Sequence, residues 1–194
     1  TYLFHQALFD ALVTGEFHMK LPIVGGTSSV KIGKANEIMD FIGVNYYSEP
    51  LVGVRLAAKI SDSIGSISEA GGFMTDMPFR YYPQGLYDRI MECKQLNVPI
   101  YITENGAADR RDAFRGQWIK EHLAKVSKAI EDGADVKGFY YWTLNDNFEW
   151  DRGYDQKFGL FEYDFKTGVS KLRRGSQAYV DIIREARVAA QDGS

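Results

Sequence analysis

The chain has 194 residues, enough to bury the core of one domain, so no disulfide or metal is needed to staple it. With 45% hydrophobic, 14% aromatic and 25% charged residues, its composition is that of an ordinary globular protein and excludes disorder. The 23 basic and 26 acidic side chains leave a net charge of −3 with no concentrated basic stretch, which excludes an electrostatic footprint for nucleic acid. The one cysteine, Cys93, excludes an intrachain disulfide and a cysteine-based zinc site.

Leu3, Phe4, Ala7, Leu8, Ala11 and Leu12 recur at steps of three and four, the stripe of an amphipathic helix that Gly15 can end. No capping residue precedes this helix, so the expectation is that a portion of the protein lies upstream. Residues 18–36, with the Gly25-Gly26 pair, carry no period and read as a connecting loop. Asp40 to Tyr47 is a short, nearly continuous apolar run, the pattern of a parallel strand covered on both faces. Residues 49–82 read as a long irregular excursion from the top of that strand.

Pro83 opens a helix on which Leu86, Ile90 and Cys93 share a face. Val98 to Glu104 is a second buried strand, closed by the turn dipeptide Asn105-Gly106. Trp118, Ile119, His122, Leu123, Val126 and Ile130 form the next helical stripe, ended by Gly133, and Val136 to Trp142 is a third apolar strand. Lys166-Thr-Gly168 joins two short segments as a hairpin, the run Lys171 to Arg174 reads as a solvated face, and a last helix over 176–190 turns Ala178, Ile182, Ile183 and Ala186 inward. Strands alternating with helices make a parallel α/β arrangement, one domain over residues 1–194. No run of about 18 apolar residues and no secretory leader pattern occurs, so the expectation is a soluble, cytoplasmic protein with no membrane partner.

Each strand ends in polar or aromatic groups: Asn45 and Tyr47, then Glu104 and Asn105, then Trp142. Parallel α/β barrels keep their active sites at such carboxyl ends. A carboxylate at the mouth of an apolar strand, as at Glu104, is expensive unless something pairs or uses it. His5 and His18 lie thirteen apart with no carboxylate at ligand spacing, Gly33-Lys34 lacks the rest of a phosphate loop, and no nucleophile elbow occurs. No metal and no cofactor is expected.

Phe41-Ile-Gly-Val-Asn-Tyr-Tyr47, Ile102-Thr-Glu-Asn-Gly106, Trp142-Thr-Leu-Asn-Asp-Asn-Phe-Glu-Trp150, Gly153-Tyr154 and Phe158-Gly-Leu160 together resemble glycoside hydrolase family 1 in order and spacing, from about Phe4 to Ile183. The resemblance implies a retaining β-glycosidase on a TIM (β/α)₈ barrel, of which this chain carries the C-terminal portion, about the last three βα units. It implies that Glu104 is the nucleophile and that Tyr47 hydrogen-bonds it. Asn45 then lies near the sugar 2-hydroxyl, Trp142 forms the floor under the glycone, Glu149 and Trp150 bind outer hydroxyls, and Phe158 is an aromatic wall beside them. A carboxylate at Glu149 would repel a 6-phosphate, so the implied glycone is an unphosphorylated terminal β-D-glucoside or related β-glycoside. Asp146 and Asn147 are read as shaping their loop. The sequence departs from the family pattern at Asn145, where an apolar residue is usual, and over residues 108–116.

Retention requires a second carboxyl group about 5 to 5.5 Å from the nucleophile. The family's Asn-Glu-Pro acid motif does not occur in these residues, so the acid/base and the N-terminal strands are expected on a missing or separate polypeptide. The alternative is a non-catalytic half-barrel fragment or assembly module with residual sugar binding.

Overall fold

The computed structural model describes residues 6–20, 27–49 and 73–192. Helix α1 (Ala7–Thr14) buries Ala7, Phe9 and Ala11, and Gly15 ends it with φ 82°, its N–H returning to the Ala11 carbonyl at 2.8 Å. Leu3 and Phe4 of the expected stripe lie outside the described residues. Leu8 departs from the expectation: it is exposed and, with Leu12, Ile42, Val44 and Cys93, lines an apolar groove beside the next strand.

The stretch read as a loop over 18–36 is instead built on an antiparallel hairpin, β1 (Glu16–Lys20) with β2 (Thr27–Lys31), followed by the one-turn helix α2 (Ala35–Ile38). Phe17 and Met19 alternate with polar residues in β1, but the run is only five residues long, and β2 carries the single apolar Val30, so the pairing emerges only in the structure. Gly25 and Gly26, and residues 50–72 of the expected excursion, lie outside the described residues.

Strands β3 (Ile42–Asn45), β4 (Ile100–Asn105) and β5 (Val136–Tyr141) form a parallel sheet in chain order, with α3 (Pro83–Cys93) and α4 (Arg115–Glu131) as the crossovers. Val44, Ile100 and Ile102 face the helices and meet Leu86, Ile90, Cys93, Val126 and Ala129 in one core. Such residues contribute about 1.5–3 kcal/mol each on full burial, so this layer is what fixes the sheet against α3 and α4. Ile130, placed in the α4 stripe by its spacing, is exposed, and Ala129 takes the inward position.

The other face of the sheet is uncovered. Phe41 and Tyr140 are 52% and 58% exposed, and Asn45 and Thr103 lie on the same side, joined by a hydrogen bond. A Cβ on Gly43 or Gly138 would abut Thr103 or Tyr101, which puts these residues on that face too. Beyond the sheet, β6 (Phe161–Tyr163) and β7 (Ser170–Leu172) form the expected hairpin. The final helix, α5 (Gln177–Asp192), turns Ala178, Tyr179, Val180 and Ile182 partly inward, whereas Ile183 and Ala186 are exposed. Among the described residues no helix is long and apolar enough to cross a membrane.

Candidate active site

The three carboxyl ends converge as the sequence implies. In β4 the pairing slips by one residue: Val44 and Asn45 are adjacent, but their partners are Ile102 and Glu104. Ile102 and Asn105, three apart, both turn to the helices, so the extra residue leaves Thr103 and Glu104 together on the opposite side. A bulge of this kind re-aims a side chain at a strand end, and here it presents the Glu104 carboxylate to Tyr47.

Tyr47 Oη donates to Glu104 Oε2 at 2.7 Å. Burial raises the phenol's pKa above its ordinary value, and the bond to the carboxylate raises it further, so Tyr47 stays a donor. Phe79 and Phe158 flank the ring at centroid distances of 5.6 and 6.2 Å.

Asn105 secures the same point from the helix side. Fully buried, it donates from Nδ2 to the Tyr46 carbonyl at 2.8 Å and accepts the Trp118 indole N–H at 3.2 Å. With Asn105 the last residue of β4, the Asn105-Gly106 pair is not the tight turn its dipeptide suggests. Gly106 is needed for another reason: a Cβ there would lie 1.9 Å from the Trp142 carbonyl oxygen. The Trp142 N–H in turn donates to the Asn105 carbonyl at 2.9 Å, which sets the half-buried indole-bearing residue beside the end of β4. Asn45 accepts from Thr103 Oγ1 at 2.6 Å, and no described residue takes its amide donors.

Of the outer group, Glu149 is partly buried and receives Asn147 Nδ2 at 3.2 Å, and its charge is felt at Tyr47. Asn147, read from sequence as a loop former, therefore also orients this carboxylate. Trp150 is 82% exposed, and no described contact joins it to the others. Phe158, implied as an aromatic wall, is buried at 1% exposure and backs Tyr47, with its carbonyl drawn to Arg115. Asp146 shapes its loop as expected, but by pairing with buried Arg173 at 2.7 Å, which corrects the reading of Lys171–Arg174 as wholly solvated. Asn145 is accommodated by Ser170, whose Oγ donates to it at 2.5 Å.

Sequence reasoning missed Asp109 and Arg115 in the divergent stretch after β4. The Asp109 carboxylate accepts the N–H groups of Ala113, Phe114 and Arg115. Arg115 is fully buried, its guanidinium bonded to Asp112 Oδ1, to Tyr141 Oη and to the carbonyls of Ala107, Asp109, Lys157 and Phe158 at 2.8–3.2 Å. Because most of these partners are backbone carbonyls, no side-chain motif announces them. Among the described residues no group of three or more His, Cys, Asp or Glu is arranged to hold a metal ion.

The family model described as Glycosyl hydrolase family 1 matches residues 19–188. The chain belongs to glycosyl hydrolase family 1. Its relatives in this family include a beta-galactosidase of Pyrococcus woesei, 36% identical over 79% of this chain and 32% of its own length. A 6-phospho-beta-galactosidase of Staphylococcus epidermidis is also 36% identical, over 81% of this chain and 40% of its own. Among solved structures, a beta-glycosidase from Pyrococcus horikoshii superposes with a TM-score of 0.73 at 33% identity, covering 94% of this chain and 41% of that one. The family 1 chain described here thus spans about a third to two fifths of these relatives, and its sheet is a portion of a TIM (β/α)₈ barrel.

Proposed function

We propose that the chain supplies the nucleophile side of a retaining β-glycosidase acting on terminal non-reducing β-D-glucosides or β-D-galactosides. The observation that carries this reading is the 2.7 Å hydrogen bond from Tyr47 to Glu104 at the carboxyl end of β4. In this mechanism the Glu104 carboxylate attacks the anomeric carbon, and the glycosidic bond breaks as an acid/base carboxyl outside these residues protonates the departing oxygen. Water then displaces Glu104 with that same group acting as base, which splits one difficult step into two. Tyr47 fixes the aim of the carboxylate, and Asn45 addresses the sugar 2-hydroxyl, where a bond that strengthens in the transition state accelerates both steps. Trp142 lies under the apolar face of the glycone. Glu149, with Trp150, binds the outer hydroxyls and disfavours a 6-phosphate by like-charge repulsion. Phe158 supports Tyr47 from behind.

The test supplies the 194-residue chain with a polypeptide carrying the remaining barrel strands and assays aryl β-glucoside, aryl β-galactoside and the 6-phosphate of each. Turnover of the unphosphorylated substrates is expected, with Glu104→Gln lowering it at least 10³-fold and a 2-deoxy-2-fluoro glycoside labelling Glu104. Normal turnover by the Gln variant, or a label on another residue, overturns the assignment.

A further inference from the structure

Six acceptors surround one buried guanidinium, so its five N–H groups are all engaged and one is shared, more than charge neutralisation requires. Asp112 already supplies an acceptor and a charge three residues away, yet Arg115 also reaches two separate stretches of backbone, 107–109 and 157–158, and one distant phenol. Removing one partner of a buried polar cluster is costly whatever its role, so what points to placement is that the planar fork ties together segments distant in sequence.

The segments it joins are those that frame the site. Ala107, whose carbonyl accepts Nη1, follows Glu104 by three residues. Tyr141, whose hydroxyl accepts Nη1 at 2.9 Å, immediately precedes Trp142. Phe158, whose carbonyl accepts Nη1 at 2.9 Å, sets its ring edge-on to Tyr47. We propose that Arg115 is a positioning residue which, through these bonds, sets the distance of Trp142 from the Glu104–Tyr47 pair. A lysine keeps the charge but has one nitrogen in place of three, so it cannot hold these acceptors together with Asp112 and the carbonyls of Asp109 and Lys157. Arg115 is buried, so it meets no substrate; it acts through Ala107, Tyr141 and Phe158.

The proposal rests on the glycosidase reading for its catalytic consequence, and the experiment separates the two. The chain has three tryptophans, so 5-fluorotryptophan gives three ¹⁹F resonances, assigned by single Trp→Phe replacements. In Arg115→Lys the Trp142 resonance is expected to move or split while that of Trp150 stays. Should Arg115→Lys not fold, Tyr141→Phe, which removes one partner of the fork, decides: a smaller displacement of Trp142 is expected, against none in Tyr140→Phe, whose exposed ring is not bonded to Arg115. With the companion strands supplied, Arg115→Lys is expected to slow fluoroglycoside labelling at saturating reagent at least tenfold, with the half-saturating concentration unchanged. A folded variant with Trp142 unmoved and labelling intact, lower only in unfolding midpoint, overturns the positioning role. If the unaltered complex is not labelled, the glycosidase reading fails and the Trp142 resonance alone decides.

Discussion

The imidazole of His122 lies fully buried on α4, stacked on Trp118 at 4.1 Å with Nδ1 2.9 Å from the Trp118 carbonyl. The acceptor identifies Nδ1 as the protonated nitrogen, and burial pushes the pKa down from 6.5 to about 4. The unfolded chain takes up a proton near pH 6.5 whereas the folded chain refuses it until about pH 4, so stability is lost as pH falls through that window. The loss amounts to about 3 kcal/mol across it. Urea midpoints at pH 7.5 and 4.5 are expected to differ by this contribution in the unaltered chain and by less in His122→Gln; equal pH dependence in both would exclude His122 as the source. That burial was legible from the helical period, and so was the buried thiol of Cys93, raised to about 11 by desolvation. Gly106 and Arg115 were not legible, because a close backbone approach and a cage of carbonyls leave no pattern in the side chains.

A helix whose own first residues carry no capping side chain still needs its free N–H groups satisfied. For α4 the partner is Asp109, whose carboxylate takes the N–H of Arg115, the first helical residue, together with those of Phe114 and Ala113 just before it. Asp109→Ala is therefore expected to cost about 1 kcal/mol and to lower the unfolding midpoint by roughly 2–4 °C, with Asp109→Asn recovering most of it. An Ala variant that melts with the unaltered chain would show the cap to be idle. The long apolar strands and the helices between them could be read directly, since burial on both faces writes itself as a continuous run. The β1–β2 hairpin was not read, because the alternation of Phe17 and Met19 is only five residues long and β2 carries the single apolar Val30, and the bulge in β4 could not be, because a run apolar on both sides hides a slipped register. The expectation that α5 turns Ile183 and Ala186 inward failed because only the end of that helix near Tyr179 meets the sheet, through a hydrogen bond to the Phe139 carbonyl at 3.3 Å.

As a whole, the described molecule is a three-stranded sheet covered by helices on one face and bare on the other, with β3 and β5 each paired on one side only. Open edges and an exposed aromatic face invite pairing with another chain. The isolated chain is expected to self-associate in size-exclusion chromatography and to bind a hydrophobic dye. Added polypeptide carrying the remaining strands should convert it to a one-to-one complex with the dye signal suppressed, whereas a monodisperse monomer that ignores the added strands would contradict this. The chain spans about a third to two fifths of its relatives, and the bare face is what a portion of a barrel sheet would show. One further consequence follows from β4 lying in the middle of its sheet. The slipped register that aims Glu104 is set by two neighbours that travel with it, so under the proposed function a chimera crossing over ahead of β3 would inherit the attacking group with its alignment intact while exchanging the part that escorts the leaving group. Family 1 glycosidases are on this account separable at that seam, one parent dictating how the sugar is captured and the other how its substituent is let go.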